Sequence, residues 1–496
     1  MADDTTPDVP GDALDEPTGG RGIGTDQWVE QHGQRIQRPQ DLGGRLIWAW
    51  TSLPGWIRWG IPLAFVVLLP FGVQNDYVLR IGINLGLFLL LAYGLNLVVG
   101  YANLLDLGFV AFYGFGAYGY AMLSSDQFGV HLPSIIAIPI VVLATAGFGF
   151  VLGLPSRRLT GDYLAIATLF FGQMFVVLMV SSDAVQFPWM SEPIDLTGGA
   201  NGIAGVDQFA FFGFTFNTNI SYYFLVLMLV LLIVVATRRI HLSRQGLGWR
   251  SLGEDPLAAQ HMTVPVARLK LLAFTVGSAI AGLAGCILAS VQQGVFPSSF
   301  ELPLLITIYA ALILGGLGSI TGVLIGAGIM VVLPEVLRFP DISNLLFFIV
   351  LFIALGVMLR SWKLILVELA ALVAFTGVMN VLLLALQVPF LTTSEWTSGP
   401  LAPVLGAAVF MPEDRVLWGN IAFILLIVAV AGLTTVSRRI RLILLPAITW
   451  LAIFTWEVRL MLEPSVTRQL LVGALLVVLM AVRPQGFLGK PRVEVL

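Results

Sequence analysis

From residue 59 onward, apolar runs follow one another with short polar breaks, each near the roughly 20 residues a helix needs to cross hydrocarbon. The runs fall at 59–73, 78–99, 104–123, 133–154, 161–180, 220–236, 269–292, 302–317, 320–337, 345–359, 364–386, 418–436, 442–456 and 470–482. They predict an all-α, polytopic transmembrane bundle of about 14 spans, in which the pair flanking Gly318 is short enough to read as a re-entrant hairpin instead.

Composition supports a chain whose solvent is the bilayer. Hydrophobic residues make up 57% and charged residues 11%, with a mean hydropathy of +0.91; a soluble domain carries about 25% charged residues. A net charge of -3 points to no nucleic-acid partner, and the single Cys286 cannot form an intrachain disulfide. Residues 1–52 differ: "MADDTTPDVPGDALDEPTGG" is acidic and rich in Pro and Gly, with too little apolar surface to offset its ordering entropy. They read as a disordered tail, without the basic start and apolar core of a cleavable signal peptide.

Charge placement orients the spans. With a cytoplasmic amino terminus, the inside loops take Arg157, Arg158, Arg238, Arg239, Arg244, Arg250, Arg268, Lys270, Arg360, Lys363, Arg438, Arg439, Arg441, Arg483, Lys490 and Arg492, and outside loops keep only a few arginines, as the positive-inside rule requires. Residues 181–219 have no Lys or Arg but contain Asp183, Glu192, Asp195 and Asp207, which marks an external loop. The expectation is a multi-pass protein of the cell membrane with both termini cytoplasmic.

One cytoplasmic segment, "GEDPLAAQHMTVPVARLKLLAF" (253–274), carries local chemistry of its own. Asp255 suits an N-cap and Pro256 the first helical position, predicting a short helix over 256–262. Leu257, Ala258 and Ala259 give that helix a compact apolar surface suited to docking, although a solvated connector between spans would carry similar charges. The only lysines are Lys270, Lys363 and Lys490, and none completes G-x-x-x-x-G-K-[ST]; if ATP drives the protein, another chain binds it.

The stretch "GWRSLGEDPLAAQHMTVPVARLKLLAF" resembles the cytoplasmic coupling loop of LivM-type permeases, the membrane subunits of ABC importers for branched-chain amino acids. "LNLVVGYANLLDLGFVAFYGFGAYGYAML", "GDYLAIATLFFGQ", "TGGANGI", "LGGLGSITGVLIGA" and "RPQGFLG" resemble further blocks of that family, in family order. The resemblance implies that Arg250, Glu254, Asp255, Ala258 and Ala259 dock in a cleft of an ATPase subunit. It also implies a second homologous permease, two ATPase subunits that bind ATP and Mg, an extracytoplasmic substrate-binding protein and surrounding membrane lipid, with no cofactor on this chain. Thr263 stands where the family usually has Gly, so the turn leaving the helix is expected to differ.

Other residues admit two readings. Gly108, Gly114, Gly116 and Gly119 suit close helix packing or a substrate path lined by exposed backbone. Asp106 could bind part of a substrate or reach interfacial water, since burying its charge alone is costly. Asn96 and Gln173 suit neutral hydrogen bonds to a zwitterion, or to a neighbouring helix. Glu368 is expected to pair with Lys363 or to snorkel. The four histidines do not have the spacing of a metal site, and no nucleophile–base constellation is legible, so no catalytic residue and no enzyme is expected.

The organisation expected is a tail (1–52), a permease core (53–361), an inserted membrane region (362–465) that lies beyond the resemblance, and a terminal span with a cytoplasmic end (466–496). The function expected is translocation of branched-chain or related small amino acids, with urea or short amides as alternative solutes. An ion-coupled secondary transporter, with Asp106 and Glu368 as candidate ion ligands, is the rival mechanism.

Overall fold

The computed structural model describes residues 55–72, 75–157, 161–186, 193–211, 213–254, 256–359, 361–385, 411–435, 437–460 and a few positions between 467 and 488. The chain divides at Gln74 into two units. The described part of the first is one apolar helix, α1 (Gly55–Gly72). The predicted tail lies outside the described residues, as do residues 386–410 and part of the last predicted span.

The second unit is mainly helical, as the apolar runs predict. Among the described residues, nine helices are long and apolar enough to cross a membrane. In chain order its first helices are α2 (Asp76–Leu95), α3 (Phe109–Leu123), α4 (Ser134–Gly153), α5 (Asp162–Ser181) and α6 (Asn219–Leu242). Then come the short α7 (Arg244–Glu254) and α8 (Pro256–His261), followed by α9 (Val266–Gln292), α10 (Leu302–Gly315) and α11 (Ile320–Val336). Side-chain caps start several of them: the Asn75 carboxamide accepts from Tyr77 N at 2.9 Å, Thr218 and Ser221 form a capping box before α6, and Ser319 Oγ accepts from Gly322 N at 3.0 Å.

At the centre stands α9, packed on α2, α3 and α4. Its face of Gly277, Ala281, Gly282, Ala284, Gly285 and Ala289 is buried or half-buried, and the small residues let backbones meet. A Cβ on Gly116 would lie 2.2 Å from the Gly282 carbonyl oxygen, and one on Gly285 would lie 2.2 Å from that of Tyr113. The other glycines of the α3 block serve contacts of the same kind: Gly108 abuts the Thr168 carbonyl, Gly114 the Phe175 ring and Gly119 the Val141 side chain. Cys286 is buried on this seam, its Sγ 3.5 Å from the Gly116 carbonyl.

Two predicted spans are interrupted. The run at 78–99 leaves α2 as a π-helix over Asn96–Tyr101, and the run at 104–123 becomes helical only at Phe109. Residues 102–108 are irregular, and Asn103 adopts φ +53°. The pair flanking Gly318 forms a hairpin, α10 and α11, joined by Gly316 (φ +105°) and Gly318 (φ +76°). A left-handed backbone at both positions ends α10 at no steric cost to a residue without Cβ. Far along the chain, Phe487 N and Leu488 N donate to the Leu314 and Gly315 carbonyls at 2.9 and 3.0 Å, closing bonds that the end of α10 leaves open.

The helices that follow among the described residues include α12 (Pro340–Leu359), α13 (Trp362–Ala385), α14 (Arg415–Thr435) and α15 (Arg438–Thr455), the last running into a π-helix over Trp456–Leu460. They share hydrophobic clusters of their own: Trp450, Ile453 and Phe454 pack with Phe347, Leu372 and Phe375, and Leu355 and Leu359 with Leu445. The inserted region therefore builds its core together with α12, which precedes the boundary expected at residue 361. Trp456 fixes this packing by donating to Asn344 Oδ1 at 2.6 Å while stacking on Phe347.

Short antiparallel strand pairs cover one end of the central helices: β1 (Ser124–Ser125) with β2 (Val130–His131), β3 (Ile203–Ala204) with β6 (Gly294–Val295), and β4 (Ala210–Phe211) with β5 (Phe214–Thr215). His131 bridges two carboxylates there, with Nδ1 2.8 Å from Asp207 Oδ2 and Nε2 3.2 Å from Asp126 Oδ1. The Asp207 hydrogen bond, more than any other influence, raises the His131 pKa above its ordinary value.

Candidate functional site

Irregular backbone among apolar helices must find its hydrogen bonds inside the protein. Between α2 and α3 it does so through side chains of α5 and α10. Tyr309 of α10 turns its hydroxyl to a single residue, donating to the Asp106 carbonyl at 2.7 Å and accepting from Asp106 N at 3.1 Å. Thr168 Oγ1 of α5 accepts from Leu107 N at 2.9 Å. The Asp106 carboxylate folds back so that Oδ1 accepts from Gly108 N at 3.0 Å, an Asx turn that leads into α3. Its Oδ2 is buried with no hydrogen-bond partner among the described residues.

At the other end of the break, Asn96 Oδ1 accepts from Gly318 N at 2.9 Å. Gly100 makes room for this contact, since a Cβ there would stand 2.1 Å from Asn96 Oδ1 and 2.6 Å from Gly318 N. The π-helix that follows α2 and the glycine turn that joins α10 to α11 are thus stapled by one carboxamide. Both Asn96 and Asp106 lie on the broken stretch, and both are held by α10 or the turn that follows it.

The segment between α6 and α9 contains two helices rather than the one predicted. Trp249 and Leu252, three residues apart, turn the same face of α7 inward, and Trp249 Nε1 donates to the Leu269 carbonyl at 2.9 Å. The Arg250 guanidinium donates to His241 Nε2 at the end of α6. Tyr101, which closes the π-helix, lies with its ring parallel to Trp249 (10° between planes, centroids 6.5 Å apart) and tilted against His241 at 5.0 Å. After α8 the chain turns in a Schellman arrangement, with Val264 N donating to the Ala259 carbonyl at 3.2 Å and Thr263 at φ +62°.

The sequence-predicted residues divide accordingly. Asn96 is fully buried and Asp106 is 1% exposed, so Asp106 does not reach interfacial water. Gln173 lies on an exposed face of α5 beside Met174 and Val177, apart from these two. Arg250 and Ala258 are exposed. Ala259 faces inward at 3% exposure, whereas Met262 next to it is 77% exposed; the outer surface of this segment is made by Ala258, Gln260, His261 and Met262. Asp255 and the side chain of Glu254 lie outside the described residues. Glu368 is buried with Oε1 lacking a hydrogen-bond partner among the described residues, so it does not snorkel to the surface. Among the described residues no three metal-binding side chains converge.

Sequence reasoning missed Tyr101, Thr168, Trp249 and Tyr309. Trp249 had a readable signal, a large apolar residue within the polar run 243–254. Thr168 and Tyr309 had none, because each is one polar group in an apolar span and its partner backbone is distant in sequence.

A family profile described as "Branched-chain amino acid transport system / permease component" matches residues 77–355. The high-affinity branched-chain amino acid transport system permease protein LivM of Salmonella typhimurium is 33% identical over 308 residues, which cover 57% of this chain and 69% of that protein. Escherichia coli LivM is 35% identical over the same shares. A shorter match joins the chain to the probable branched-chain amino acid transport permease protein LivH of Methanocaldococcus jannaschii, 35% identical over 91 residues, 18% of this chain and 28% of that one. No solved structure matches the chain.

Proposed function

The chain belongs to the branched-chain amino acid transport permease family, and from that premise we propose that it is the LivM-type membrane subunit of an ATP-driven importer. Its partners on this reading are a second, homologous permease, two ATPase subunits that bind ATP and Mg, and an extracytoplasmic binding protein that delivers leucine, isoleucine, valine or a related small solute. On this reading both termini and the α7–α8 segment face the cytoplasm, an orientation the arginine distribution supports.

The observation that carries the reading is the α7–α8 segment: two short helices outside the spans, anchored inward by Trp249 and Leu252, presenting Arg250, Ala258 and Met262 outward. An anchored projection of this kind can pass force, where a solvated connector would absorb it. ATP-driven closure of the ATPases moves the segment and shifts the permease between outward-open and inward-open states. Asn96 and Asp106, on the broken stretch, and Gln173, on the exposed α5 face toward the second permease, border the path. Residues 362–465 form a scaffold with α12 and leave substrate preference unchanged.

Affinity purification of the full chain from its native membrane, followed by reconstitution, tests this. ATPase subunits should copurify, and uptake should need ATP and binding protein and survive collapse of proton and sodium gradients. Uptake abolished by an ionophore at constant ATP would install the ion-coupled mechanism instead. Ala258→Arg, on the exposed face, should release the ATPases without preventing insertion; undiminished ATP-driven uptake by that variant would remove the segment from the mechanism.

A further inference from the structure

We propose that Tyr101 is the positioning residue through which movement of α7 reaches the broken stretch between α2 and α3. The inference rests on the reading of α7–α8 as the ATPase-docking segment and adds the route by which docking is felt inside the membrane.

Tyr101 is the last residue of the π-helix, so its backbone ends a segment whose hydrogen bonds are already out of α-helical register. Its ring is 5% exposed, yet its hydroxyl has no hydrogen-bond partner among the described residues. The phenol is placed by ring contacts with Trp249 and His241 and not by a directional bond. The Trp249 ring is parallel to but laterally offset from Tyr101, and the His241 ring closes in at 5.0 Å, so a push that brings these rings against the phenol meets steep repulsion. The contact therefore transmits compression.

The backbones also approach one another here: a Cβ on Gly253, at the end of α7, would stand 3.5 Å from the Tyr101 carbonyl oxygen. On the input side, α7 is tied to α9 by the Trp249 indole and to α6 by Arg250 and His241, so an applied push reaches Tyr101 with the helix moving as a body. On the output side, the π-helix begins at Asn96, whose carboxamide holds Gly318. Closing a π turn to an α turn withdraws one residue from it, which displaces the following chain by about 1.5 Å and rotates it by about 100°. The chain that follows is the stretch ending in Asp106 and Gly108. A push on α7 thus has a turn of changeable register to act on, with Asn96 at its start and Asp106 farther along the chain that follows it.

The test uses the full complex with its partner permease, ATPases and binding protein, and compares Tyr101→Phe, Tyr101→Leu and Tyr101→Ala. Copurification of the ATPases reports docking, hydrolysis without binding protein reports the ATPases alone, and the increase on adding solute-loaded binding protein reports transmission. Tyr101→Phe keeps the ring and should retain the increase and the uptake. Tyr101→Leu and Tyr101→Ala should keep copurification and unstimulated hydrolysis, and lose about fivefold or more of the binding-protein-dependent increase, the scale of a typical coupling free energy. Full stimulation in either variant that lacks the ring would overturn the proposal. So would failure of both to assemble while Tyr101→Phe assembles, because the ring would then be structural. Absence of ATPases from the wild-type complex would instead sink the docking reading itself.

Discussion

Gly116→Ala tests the central seam. The added methyl would stand 2.2 Å from the Gly282 carbonyl oxygen and 2.6 Å from its Cα, short of an ordinary ~3.5 Å contact by more than about 1 Å. Both opposing atoms are backbone in the middle of α9, so no rotamer change relieves the overlap, and the two helices must separate. A gap of about 1 Å forfeits up to half of each contact's attraction along the seam, and overpacking of this kind costs about 1–3 kcal/mol. Gly147→Ala is the control: it lies in α4 with nothing within 4 Å of its added methyl and gains the same helix propensity. Cys286, the only thiol of the chain, is buried on this seam, so a thiol-reactive fluorogenic dye reads thermal opening at the place perturbed. Gly116→Ala should label at clearly lower temperature than wild type, with Gly147→Ala at or above it. Equal melting of the two variants would refute the packing argument.

Three further outcomes follow from named contacts. Thr263→Gly removes a β-branched residue from the left-handed position after α8 and should raise stability by about 1 kcal/mol, read by the same dye melt. Asn96→Leu leaves Gly318 N without its acceptor and should cost about 1–2 kcal/mol, seen as a lower melting temperature and a reduced yield of assembled complex. The raised pKa of His131, set first by Asp207, means its contribution is complete below the unfolded value near 6.5 and is lost as pH rises through the folded value. Protection of the 124–131 hairpin from protease should therefore decline on passing from pH 6 to pH 9, and His131→Gln should abolish that dependence.

The apolar runs disclosed the spans because hydropathy over about 20 residues is a local property. They misplaced the start of α3, since Leu104, Leu105 and Leu107, within residues 102–108, carry the apolar run up to the helix. What makes that stretch irregular is supplied by Tyr309 and Thr168, on other helices. The same limit explains Ala259: a six-residue helix shows which residues are apolar but not which way its face turns, and that is set by packing against α7 and α9. At Thr263 the sequence led to an expected change of turn, because Thr stands where the family usually has Gly; the backbone there nonetheless takes φ +62°, the left-handed conformation that favours Gly.

The bonds from Phe487 and Leu488 to the end of α10 give the chain an order of completion. During synthesis α10 and α11 emerge long before the residues that satisfy the Leu314 and Gly315 carbonyls, and at ~5–20 residues per second the interval is on the order of 10–30 s. Through that interval the hairpin that holds Asn96 waits open at one end while the inserted helices are threaded into the bilayer. The inserted helices pack on α12, made before them, and any stall in their insertion delays the closing of the permease core. A chain that stops early leaves the Leu314 and Gly315 carbonyls, beside the glycine turn, without the donors that close the end of α10.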